Sequence, residues 1–145
     1  MKNVTDDNTG DASQLDPGLS LDQLRRIQEV YGLDARAFYA EEPGTEGLTR
    51  FRKAVKETLS DSDHFIIVNF LGTVIGNTTE GHISPLGAYD EKTDSILVLD
   101  VAGHKNPWYW VPASLLYEAM HTKADGGFRG WLIVSDPAAG KTGHE

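Results

Sequence analysis

Residues 81–101 read "GHISPLGAYDEKTDSILVLDV". Residues 82–89 and 95–101 carry the β-branched and aromatic residues of strands, and the polar run 90–94 between them is a turn, so the stretch predicts an antiparallel hairpin. Turning on 90–94 sets His82 across from residue 100 or 101, and residue 100 is Asp. Side chains facing one another across such a pair have Cβ atoms about 4.5–5.5 Å apart, close enough for a carboxylate to accept an imidazole N–H. A slip of one residue would put the two groups on opposite faces.

Both residues interrupt apolar strands, where a buried charge without a partner is costly, so their pairing has a physical motive. A carboxylate that fixes the tautomer of an imidazole, and stabilises the imidazolium, makes a base ready to take a proton from a nucleophile. His82 and Asp100 are therefore candidate catalytic residues, half of a triad. Simpler readings stand beside this one. A strand-end histidine can bond a loop carbonyl, a strand-end aspartate can cap the next turn, and Asp100, His104 and His121 could together ligate a metal.

The flanking sequence predicts what the hairpin joins. "SLDQ" from Ser20 is a capping box, Leu21, Leu24, Ile27, Val30 and Tyr31 follow at helical spacing, and Gly32 is a stop. Residues 35–42 read as a short strand. Glycines 44 and 47 then break the pattern before a helix from Leu48 through Leu59, with Phe51 and Val55 on its apolar face. "HFIIVNF", 64–70, is a buried strand, and "LGTVIGNTTEG" a connection. "GHKNPWYWVP", 103–112, reads as an irregular aromatic loop, Pro112 as the first turn of a helix with Leu115, Leu116, Ala119 and Met120 inside, and 128–136 as a last strand. Helix, strand, helix and then mostly sheet is an α+β order with an antiparallel sheet.

A chain of 145 residues is most simply one domain. Residues 1–17 hold too little apolar surface to order themselves and are expected to be a flexible acidic and polar segment, with 18–136 as the folded domain and 137–145 as a disordered tail. The net charge of −9 argues against nucleic acid and anionic membranes as partners. No run approaches the length of a membrane helix, and the start lacks the apolar core of a signal peptide, so a soluble, cytoplasmic protein is expected. Zero cysteines rule out a disulfide, a thiolate metal site or a thiol nucleophile supplied by these residues.

The string "GHISPLGAYDEKTDSILVLDVAGHKNPWYWVPASLLYEAM" resembles the motif-bearing half of the phytochelatin synthases, which run GHFSPIGGY, a short turn, LILDVARFKYPPHWVP and LLWEAM. "GLSLDQLRRIQEVYGLDARAFYAEE", "FRKAVKETLS", "FIIVNFLGTVIGN" and "RGWLIV" extend the likeness in the same order over about 18–135. The resemblance implies a papain-like fold and a Cys-His-Asp triad that removes Gly from glutathione. The γ-glutamylcysteinyl thioester so formed passes its acyl group to glutathione, a phytochelatin or water. By position the family's catalytic His falls on His82 and its Asp on Asp100, with substrate contacts expected at Gly81, Ser84 and Lys105.

The family's nucleophile, and the glutamine of its oxyanion hole, belong to a helical half that precedes everything matched here. The expectation is thus a C-terminal part of the catalytic domain, inactive alone and partnered by a Cys-bearing half in the same or another chain. No cofactor is expected. Heavy-metal ions such as cadmium or zinc would act as thiolate complexes of glutathione, and the chain itself would hold none. Two departures bear on substrate: Gly72 and Gly103 stand where the family has Arg, which leaves open a non-catalytic module that binds glutathione, metal thiolates or a partner protein. "SDPAAGKT", 135–142, mimics a phosphate-binding loop but lacks the helix that one needs after it.

Overall fold

The computed structural model describes residues 20–76, 81–100, 108–124 and 127–137. Helix α1 (Leu21–Val30) starts as its sequence predicts: Ser20 Oγ accepts from Gln23 N–H at 3.1 Å, and the Gln23 side chain accepts from Ser20 N–H at 2.9 Å. Such a box stabilises a helix by about 1 kcal/mol. Gly32, with φ of +84°, ends it in the left-handed region that glycine enters without penalty.

Strand β1 (Asp34–Tyr39) leads to α2 (Gly44–Leu59), which begins four residues before the expected Leu48. Of the two glycines that read as breakers, Gly44 takes a positive φ of 72° and Gly47 has a packing reason. A Cβ on Gly47 would collide with the Tyr117 hydroxyl, which donates to the Glu42 carbonyl at 2.6 Å. Strand β2 (His64–Leu71) passes through a single 3-10 turn (Gly72–Ile75), and β3 (Gly81–Asp90) and β4 (Ser95–Leu99) form the predicted hairpin.

The aromatic loop is the main correction: Trp108–Pro112 is a strand, β5, paired antiparallel with β4 along its whole length. Trp108, Tyr109, Trp110 and Val111 alternate between outward and inward positions, a period-2 signal that the neighbouring Gly, Asn and Pro obscured. Helix α3 (Ala113–Met120) follows at once, its first N–H bonded to the Asp94 carbonyl at 2.9 Å. The expected last strand is split at Arg129 into β7 (Gly127–Phe128), paired with β6 (Lys123–Ala124), and β8 (Gly130–Ser135).

The main sheet runs β1-β8-β2-β3-β4-β5, every pair antiparallel. The α+β class therefore stands. Ile66, Val68 and Phe70 of β2 face α2 and α3, where they bury Phe51, Val55, Leu116 and Met120. Ile67 faces the other way, with Leu132 and Val134, onto Leu21 and Leu24 of α1. Helices on both sides explain why "HFIIVNF" is apolar without alternation. Each such large side chain contributes about 1.5–3 kcal/mol on burial.

The tail beyond 137, residues 1–17 and the phosphate-loop mimic past Pro137 lie outside the described residues, as do Gly103, His104 and Lys105.

Candidate active site

The hairpin is tighter than its sequence suggests. Asp90 pairs with Ser95, Tyr89 with Ile96 and Ala88 with Leu97. Continued without a break, that register would place Asp100 opposite Pro85, on the face away from His82. A bulge intervenes at Gly87, after which Leu86 pairs with Val98. An extra residue in one strand flips the face of everything beyond it. The inward row His82, Ser84, Leu86 then meets the inward row Val98, Asp100, and all five are buried.

Carried one inward step further, the register sets Asp100 opposite Ser84 and diagonal to His82. Diagonal neighbours on a sheet remain within reach of an imidazole. His82 Nε2 lies 2.8 Å from Asp100 Oδ1, both side chains almost wholly buried. An ionised carboxylate only accepts hydrogen bonds, so opposite Asp100 the imidazole carries its hydrogen on Nε2.

Two residues that sequence reasoning missed lie beside the pair. Tyr109, brought inward by β5, donates its hydroxyl to Asp100 Oδ2 at 3.3 Å. Phe70, directly across β2 from His82, sets its ring 5.3 Å from the imidazole at a tilt of 54°. The alternation in "WYWV" was the signal for Tyr109.

Among the expected substrate contacts, Gly81 and Ser84 are buried in β3 on either side of His82. Gly72 is buried at the start of the 3-10 turn, so no cation stands at that point. His121 is engaged elsewhere: its Nδ1 donates to the Ala40 carbonyl at 2.8 Å, and its ring stacks between Tyr117 and Phe128. Among the described residues no three His, Cys, Asp or Glu side chains converge as a metal site would require. No described helix is long and apolar enough to cross a membrane. A cleft lined by Asp34, Arg36, His64 and Ser135 lies at the opposite end of the sheet from the dyad.

Comparison with known proteins agrees with the motif. The family pattern described as phytochelatin synthase matches residues 2–131. Glutathione gamma-glutamylcysteinyltransferase 3 of Lotus japonicus is 34% identical over 120 residues, covering 81% of this chain and 24% of the relative. The Triticum aestivum glutathione gamma-glutamylcysteinyltransferase 1 is 39% identical over 120 residues, 81% of this chain and 23% of the relative. The Schizosaccharomyces pombe enzyme is 40% identical over 86 residues, 58% of this chain and 21% of its own length. The chain thus spans about a quarter of the length of the curated relatives it matches. With the pattern over most of the chain and these relatives in agreement, this chain belongs to the phytochelatin synthase family.

Proposed function

We propose that this chain supplies the histidine and aspartate of a γ-glutamylcysteine dipeptidyl transferase or glutathione hydrolase of papain-like architecture. The observation that carries the reading is the buried His82–Asp100 bond, set up by a bulge without which the two groups would lie on opposite faces. The sequence contains no cysteine, so the sulfur nucleophile of this reaction comes from outside these 145 residues.

In the first step His82 Nδ1 takes the thiol proton as the sulfur attacks the Cys-Gly carbonyl of glutathione. Collapse of the tetrahedral adduct breaks the C–N bond, and Nδ1 returns its proton to the departing glycine amine. A γ-glutamylcysteinyl thioester remains. In the second step Nδ1 takes a proton from the attacking amine of glutathione or a phytochelatin, or from water. It then delivers that proton to the departing thiolate, restoring the thiol. Asp100 holds the ring throughout and stabilises the imidazolium formed in each half. Gly81 offers backbone groups beside the base, and Lys105 is assigned to the substrate carboxylates. Heavy metal enters as thiolate complexes of the substrate rather than as a resident ion.

The test is reconstitution with a Cys-bearing N-terminal segment of a relative, following glycine release from glutathione. His82→Ala should abolish release, and Asp100→Asn should lower it by about a hundredfold or more. Release unchanged in His82→Ala would sink the assignment. The buried glycine at 72, where the family carries Arg, favours a second reading as a binding module. Calorimetric binding of glutathione or its cadmium complex without turnover in the reconstituted pair would support that reading instead.

A further inference from the structure

Ser84 has an unexplained hydroxyl. The residue is 0% exposed, and its Oγ has no hydrogen-bond partner among the described residues. Burying an unbonded hydroxyl is a cost that an alanine here would avoid. The inward row around it is otherwise apolar: Val68 lies directly across on β2, Leu86 two residues along β3, and Val98 diagonally on β4. The polar exceptions are His82, two residues back on the same face, and Asp100, which bonds His82 and falls opposite Ser84 when the Leu86–Val98 register is carried one inward step further.

We propose that Ser84 is a positioning residue of the dyad, its hydroxyl a reserve donor to the Asp100 carboxylate. The proposal rests on the reading of His82 and Asp100 as the working pair, and it revises Ser84 from a substrate contact to a residue that acts through Asp100. A carboxylate accepts up to about four hydrogen bonds. Tyr109 donates to Oδ2 at 3.3 Å, at the long end of the range. Turning the serine about χ1, between staggered positions, redirects its O–H across the pair. Directed at Asp100, it fixes the carboxylate torsion so that Oδ1 stays aligned with Nε2–H while His82 exchanges protons through Nδ1. No bond is made or broken in this step beyond the hydrogen bond itself.

The experiment reads the His82 Nε2–H proton by NMR in the full chain, assigned by its loss in His82→Gln, and needs neither a nucleophile nor turnover. A positioning serine predicts that Ser84→Ala speeds exchange of this proton with solvent by about three- to tenfold, the equivalent of one hydrogen bond. Ser84→Thr, which keeps the hydroxyl, should hold exchange near the parent rate. If Ser84→Ala leaves the exchange rate unchanged and raises the melting temperature, the hydroxyl carries only its burial penalty and the proposal is overturned. Failure of the reconstituted reaction would leave this result intact, so the two readings fall separately.

Discussion

Asp94 closes the turn between β3 and β4 and ties it to both helices of the inner layer. It takes φ of +54°, in the left-handed region where Asp and Asn are tolerated. Its carbonyl starts α3, and its carboxylate accepts a two-pronged bond from Arg52 of α2 at 2.9 and 2.8 Å, together with the Tyr89 hydroxyl. The hydrogen bond from the Arg52 guanidinium holds the Asp94 carboxyl below its usual 3.8, against an opposing desolvation effect. A lowered folded value means stability that is fully present above the unfolded value and lost as pH falls through the folded one. Asp94→Asn keeps the backbone preference and removes the charge. Its melting temperature should therefore lie below the parent's at pH 7, and the gap should close below about pH 3.8. Because the Asp94 side chain is 39% exposed, solvent limits the effect at neutral pH to about 0.5–1 kcal/mol. A gap that stays constant down to pH 2 would show that the charge contributes nothing. His82 and Asp100 were legible because polar residues in apolar strands demand a partner, whereas Tyr109 was not, since a tyrosine among prolines and tryptophans carries no such demand.

Gly87 shows what the hairpin pattern could not reveal. Alternation announces a strand, but a bulge leaves no mark beyond a glycine, and here it decides which face Asp100 occupies. Deleting Gly87 removes the extra residue and leaves Leu86 next to Ala88, so Leu86 still meets Val98 and Asp100 stays on the face of His82. The low-field Nε2–H resonance of His82 should persist, with far-ultraviolet dichroism retained. Loss of that resonance would mean that the pair needs the local bend of the bulge and not only its register. Gly47 makes the complementary point in α2, where glycine signals close contact rather than a break. Gly47→Ala forces a methyl group onto the Tyr117 hydroxyl and the Glu42 carbonyl, and should cost about 1–3 kcal/mol in urea unfolding. A midpoint equal to the parent's would show that this helix end shifts freely. The expected start at Leu48 was wrong for the same reason: intrinsic propensity penalises glycine in a helix, and only tertiary packing shows why one belongs there.

Coverage of the sheet is unequal on its outer side. Helix α1 packs over β1, β8 and β2, burying Leu132 and Val134, while no described element lies over the outward residues of β4 and β5. There Trp108 faces Leu99 and Trp110 faces Leu97, with the two indoles 66% and 53% exposed. Contiguous apolar surface of this kind drives association when nothing covers it. Opposing it is the net charge of −9, which repels like copies at long range and is screened within about 8 Å at physiological ionic strength. These two forces have opposite salt responses. The isolated chain should therefore self-associate more strongly as salt rises, where an ion-paired interface would weaken. Sedimentation velocity at about 50 mM and 500 mM salt, a decade in ionic strength and about threefold in Debye length, separates the cases. Trp108→Ser with Trp110→Ser should abolish the salt-promoted species and leave the melting temperature within about 1 °C, because both side chains point away from the core. A parent chain that sediments as a monomer at both salts would show that the outer face of β4 and β5 is tolerated in water, despite two exposed tryptophans on an edge strand.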